Sequence, residues 1–163
     1  MADRIRVGIV GATVTQGGSG WGANAHVPAL KALPQYELKA VCTSHADTAA
    51  ASAKAFGAER GFHRFSDMAA APDVDLIVVC VRVPGHRDLV VASLEAGKPV
   101  LCEWPLGKNL AEAAAVSSCD VQIAFSSYWG SALSAGTWAL APQPLPPCVT
   151  VAPTMPARIL SAM

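Results

Sequence analysis

Ile5-Arg6-Val7-Gly8-Ile9-Val10 leads into a loop with glycines at Gly11, Gly17, Gly18, Gly20 and Gly22. The stretch closes with Ala25-His26-Val27-Pro28-Ala29-Leu30, and the fold turns on how it is read. The first six residues are apolar, largely β-branched and bounded by glycine, as a strand buried inside a parallel sheet reads. A glycine-rich turn between such a strand and a helix lets backbone N–H groups approach a pyrophosphate, and the helix N-terminus adds partial positive charge. Gly20-Trp21-Gly22-Ala23-Asn24-Ala25 fits G-x-G-x-x-A but lies well downstream of the usual place just after the strand. Taken alone, an ordinary surface loop would read the same way.

Outward from this unit, strand and helix signals alternate. Apolar runs predict strands at 37–42, 74–81 and 99–102, with weaker ones around Phe62 and at 121–125. Helices are expected at about 25–33, 47–56 and 67–70, then from Pro84 to Gly97, and onward from Asn109. Ser44 and Asp47 offer capping oxygens to the alanine-rich second helix, which Gly57 stops. Asn109 with Glu112 reads as a capping box. This order implies an α/β fold, a doubly wound parallel sheet of the Rossmann type with helices on both faces. Ligands in such sheets bind beyond the carboxyl ends of the strands, which singles out residues 11–24, 42–45, 81–86 and 103–107.

In the first of these segments, Gly11, Thr13, Gly20, Trp21 and Gly22 are the candidate cofactor contacts. The second reads Cys42-Thr43-Ser44-His45, where dinucleotide domains place an acid on the adenosine ribose. No acid precedes Asp47, so a 2′-phosphate is not repelled and NADP fits as readily as NAD. Thr43 and Ser44 are the candidates there, with helix capping as their other reading. In the third segment, Arg82 could reach a phosphate or a substrate carboxylate, or pair with Asp88. His86 could transfer a proton or serve only the helix start.

The 163 residues carry a formal net charge of zero. The scattered basic residues form no stripe for nucleic acid or an anionic membrane. No unbroken apolar run reaches the length of a bilayer span. Asp3, Gly8 and Gly11 argue against reading the first residues as a secretory leader. Cys42, Cys80, Cys102, Cys119 and Cys148 include no C-x-x-C pair and suit a reducing, cytoplasmic setting. His26, His45, His63 and His86 lack metal-ligand spacing, so no metal site is expected.

Gly97-Lys98-Pro99-Val100-Leu101-Cys102-Glu103-Trp104-Pro105-Leu106 resembles the "AGKHVLCEKPL" signature of the Gfo/Idh/MocA oxidoreductases. The loop ending at Leu30, the segment 81–86 and Glu103-Trp104-Pro105 together look like the Gal80-like branch of that family. The resemblance covers residues 4 to about 115. It implies that NAD or NADP meets the loop after the first strand, the end of the second, Val81, Arg82, Val83, His86, Glu103 and Trp104. It also implies a sugar- or polyol-like substrate. The family's dehydrogenases carry lysine where this chain has Trp104, which can stack but cannot exchange a proton. A cofactor-sensing regulator without catalysis is therefore the alternative to an enzyme.

The character of the chain changes after Asp120. From Val121 to Ala157 there is no charged or histidine side chain, and Pro142, Pro144, Pro146 and Pro147 exclude a regular helix. Residues 1–125 are expected to form the dinucleotide domain. Residues 126–163 are expected as an irregular tail in place of the family's second domain, through a shifted reading frame or a truncation. Oligomers are expected only of a longer form.

Overall fold

A computed structural model of the protein describes residues 4–14, 20–117 and 121–124. Six parallel strands form one sheet in the order β3-β2-β1-β4-β5-β6. They are β1 (Ile5–Val10), β2 (Tyr36–Cys42), β3 (Arg60–Phe62), β4 (Leu76–Val79), β5 (Val100–Glu103) and β6 (Val121–Ala124). Parallel neighbours require crossovers, and helices supply them: α1 (Val27–Ala32), α2 (Ala46–Phe56), α3 (Phe65–Ala69), α4 (His86–Glu95) and α5 (Leu110–Ser117). The order reverses direction between β1 and β4, as in a dinucleotide-binding sheet.

The period-two alternation of a strand explains why the central strands are apolar throughout. In β4, Leu76 and Val78 join one core with Ile5, Val7, Ile9, Val27 and Leu30. Ile77 and Val79 enter the other, with Met68 of α3, Val90 of α4 and Val116 of α5. Both faces of the strand are thus dry. The Arg6 guanidinium grips Asp75 through two hydrogen bonds of 2.9 and 2.8 Å, and the Arg6 N–H adds a third of 2.9 Å. Lys98 donates from Nζ to the carbonyls of Ala71 and Val74, at 3.0 and 2.7 Å, and so pins the turn before β4.

Several boundaries differ from the sequence reading. The first helix begins earlier than residue 25, through a π-helical turn at Gly22–His26 that runs into α1. At α2 neither Ser44 nor Asp47 caps. The N-cap is His45 with no side-chain bond, and the Thr43 and Thr48 hydroxyls instead lie 3.0 Å from the His45 carbonyl, which accepts from whichever of them does not donate to the other. Gly57 closes α2 at φ 73° as expected. At α5 the capping oxygen is the predicted one: Glu112 N–H donates to Asn109 Oδ1 at 2.9 Å. The reach-back lands one residue early, with the Glu112 carboxylate accepting from Lys108 N–H at 3.1 Å. Among the described residues no helix is long and apolar enough to cross a membrane. The expected tail, 126–163, lies outside the described residues, as do Gly17 and Gly18.

Candidate functional site

Among the described residues, the segments that the sequence singled out follow the carboxyl ends of β1, β2, β4 and β5, because parallel strands all end on one edge. Gly11 leaves β1 at φ 101°, and a Cβ on it would lie 2.4 Å from the Cys80 carbonyl oxygen. Only glycine permits that turn beside the end of β4. Gly22 lies so close to the same loop that its Cβ would meet the Ala12 backbone at 3.1 Å. Ala23 and Asn24 N–H both return to the Gly20 carbonyl, at 3.1 and 3.2 Å, and so start the helix. Gly20 and Trp21 are exposed.

Beside this loop an open cleft of about 410 Å³ separates the ends of β1 and β2. Gly11, Thr13, Thr43, Ser44 and Val81 line it, so five of the expected contacts share one surface. His45, Thr48 and His63 line it too, and among the described residues no carboxylate does. Thr43 and Thr48 hold each other through their hydroxyls at 2.8 Å, which fixes the loop after β2. The sequence reading missed His45, His63 and Thr48, although His45 adjoins the residues it named.

Arg82 and Val83 open the turn after β4. Arg82 is exposed and does not pair with Asp88, which takes Arg87 at 3.0 Å instead. Adjacent residues at the helix start, Arg87 and Asp88, meet more readily than residues six apart. His86 lies behind the cleft, not in it. It is 1% exposed, with Nδ1 2.8 Å from the Pro105 carbonyl and Nε2 2.8 Å from that of Val81. Both partners are carbonyl acceptors, so the nitrogen that carries hydrogen donates to one of the two loops; buried between them, the ring does not face the cleft.

At the end of β5, Glu103 receives His26 from the π turn, Nε2 to Oε1 at 2.8 Å. Cys80 completes a group of three whose donor atoms lie within 4.8 Å of one another. Spacing rules could not find this group, since His26 and Glu103 stand 77 residues apart. Burial, then the Glu103 charge, holds the Cys80 thiol protonated. Burial alone dominates at Cys42, pushed up to about 11, and leads at Cys102, pushed up to about 12. These thiols are therefore inert as nucleophiles. Trp104 projects from the same edge, 53% exposed.

The glycine turn, the helix behind it and a cleft lined by hydroxyls and imidazoles fit a dinucleotide, since backbone at Gly11 and Gly22 leaves room for a phosphate. Comparisons with known proteins agree. Residues 5–122 match the model of the Gfo/Idh/MocA group, described as an oxidoreductase family with an NAD-binding Rossmann fold. The dehydrogenase aclE of Aspergillus oryzae is 43% identical over 122 residues, covering 72% of this chain and 33% of that protein. D-apiose dehydrogenase of Paraburkholderia graminis is 30% identical over 63% of this chain and 28% of its own length. Rabbit (Oryctolagus cuniculus) trans-1,2-dihydrobenzene-1,2-diol dehydrogenase is 36% identical over 55% of this chain and 28% of its own. Among solved structures, the 3-ketoreductase KijD10 of Actinomadura kijaniata, in complex with NADP, superposes with a TM-score of 0.63 at 25% identity. It covers 76% of this chain and 38% of that one. The chain thus spans about a third or less of the length of the curated relatives it matches.

Proposed function

This chain belongs to the Gfo/Idh/MocA oxidoreductase family, and from that premise we propose that it binds NADP or NAD along the carboxyl edge of its sheet as the cofactor half of a hydride-transferring enzyme. The single observation that carries the reading is the cleft beside Gly11, at the carboxyl ends of β1 and β2, with no carboxylate among the described residues that line it. Gly11, Thr13, Gly20, Trp21 and Gly22 would frame the pyrophosphate. Thr43 and Ser44, with His45, would take the adenosine ribose and its 2′-phosphate. Val81, Arg82 and Val83 would follow the cofactor across β4, with His86 as a positioning residue behind them. Glu103 and Trp104 would stand at the nicotinamide end. When bound, the nicotinamide accepts or gives the hydride; the chain's residues orient it.

The substrate class is a hydroxyl or carbonyl compound of sugar, polyol or diol type, in keeping with the names of the relatives above. Residues 1–125 act as the cofactor domain, and substrate contacts come from outside the matched part. Calorimetric titration tests the shared claim: NADP is expected to bind at least as tightly as NAD. Ser44→Asp, which sets a negative charge against the 2′-phosphate, is expected to weaken NADP about tenfold or more and spare NAD. Failure of both dinucleotides to bind the folded chain would overturn the reading.

Trp104 favours a second reading, a Gal80-like sensor in which the dinucleotide is a ligand only. The relatives named above are all dehydrogenases or reductases, which weighs the other way. Dinucleotide turnover across a panel of sugars and diols separates the two, since a sensor binds and shows none.

A further inference from the structure

We propose that His26, Cys80 and Glu103 form a binding site for a zinc-class divalent cation at the carboxyl edge of the sheet. The imidazole, the thiol and one carboxylate oxygen lie within 4.8 Å of one another, and all three residues are partly buried. Each comes from a different element: His26 ends the π turn, Cys80 follows β4, and Glu103 ends β5. Nitrogen, sulfur and oxygen donors of these kinds bind zinc at about 2.0–2.3 Å. Tetrahedral geometry at those lengths spaces donors roughly 3.3–3.7 Å apart, so His26 Nε2 and Glu103 Oε1, now hydrogen-bonded at 2.8 Å, would part by roughly half an ångström, and donors up to 4.8 Å apart would close by about 1 Å.

The charges match as well. A divalent ion would displace the proton that burial holds on the Cys80 thiol and release it to solvent; the resulting thiolate and the carboxylate would then balance its charge, with the imidazole as a third ligand. Three protein ligands leave the fourth position open, which distinguishes catalytic from structural zinc sites. Trp104 beside Glu103 can neither donate nor accept a proton, and His86 is buried between two loop carbonyls. An ion here would lower the pKa of a hydroxyl in the open position and release its proton to solvent. It would thus bring to this edge an acid–base capacity that Trp104 and His86 do not offer.

Chelator-stripped protein titrated with cobalt(II), then zinc, tests the site without reference to turnover. The expected result is one ion per chain and a thiolate-to-cobalt charge-transfer band that zinc removes. Cys80→Ser is expected to abolish the band, and His26→Gln to weaken affinity about tenfold or more, with circular dichroism confirming the fold. Should the serine variant fail to fold, His26→Gln and Glu103→Gln read the same band. No band in the parent protein, or a band that the folded variants keep unchanged, overturns the site. The proposal does not depend on the dinucleotide. NADP binding without a cobalt band refutes the metal alone, and a cobalt band without NADP binding refutes the dinucleotide alone.

Discussion

A methyl group added at Gly11 would collide with the Cys80 carbonyl oxygen on a backbone already at φ 101°. Gly11→Ala is therefore expected to cost about 1–3 kcal/mol in urea denaturation and to abolish dinucleotide binding by calorimetry. The buried thiols make a prediction of another kind. Cys42 and Cys102 stay protonated to about 11 and about 12 in the folded chain, whereas an unfolded thiol ionises near pH ~8.5. Above that pH the unfolded chain holds fewer protons than the folded one, so stability falls as pH rises. The slope reaches at most about 1.4 kcal/mol per pH unit for each thiol, and the contribution is complete below about pH 8. Melting temperatures are expected to decline from about pH 9 to pH 11, with a shallower decline in Cys42→Ala. A flat profile in the parent protein would contradict the burial that the structure shows.

Among the elements, α5 offers the cleanest test, because one side chain starts it. Asn109→Ala removes the acceptor for Glu112 N–H and is expected to cost about 1 kcal/mol, with faster amide exchange through residues 110–113. This cap was legible in the sequence, and so were β1, β2, β4 and β5, whose apolar runs leave few alternatives; β3, only Arg60-Gly61-Phe62, and β6 gave weaker signals. The caps of α2 were not legible. Ser44, Asp47, Thr43 and Thr48 all carry oxygens near the turn, and only the rotamers in the fold decide which of them bond. The early start of the first helix was hidden for a different reason. Gly20 and Gly22 weigh against helix by propensity, yet the approach of Gly22 to Ala12 demands a residue without a side chain there.

For the whole molecule, a ligand that binds only the folded state stabilises it by mass action. NADP at about a hundred times its dissociation constant adds about 2.7 kcal/mol, a rise of roughly 5–10 °C in a chain of this size. A thermal-shift series with NADP, NAD and no ligand checks this, and an unmoved transition in all three contradicts it. At this scale the site was half legible. Its loops could be named, because strand ends and glycines announce them. The meeting of His26, Cys80 and Glu103 could not, because it exists only once β4 and β5 lie side by side. The arrangement of the sheet also has a consequence in time. β1 is made early but sits in the middle, paired to β2 on one edge and to β4 on the other, and Arg6 must wait for Asp75, 69 residues later. At about 5–20 residues per second, synthesis leaves that apolar strand without its full set of partners for roughly 4–14 s. During those seconds the nascent chain cannot yet close around its first strand, and β1 is the segment most open to mispairing.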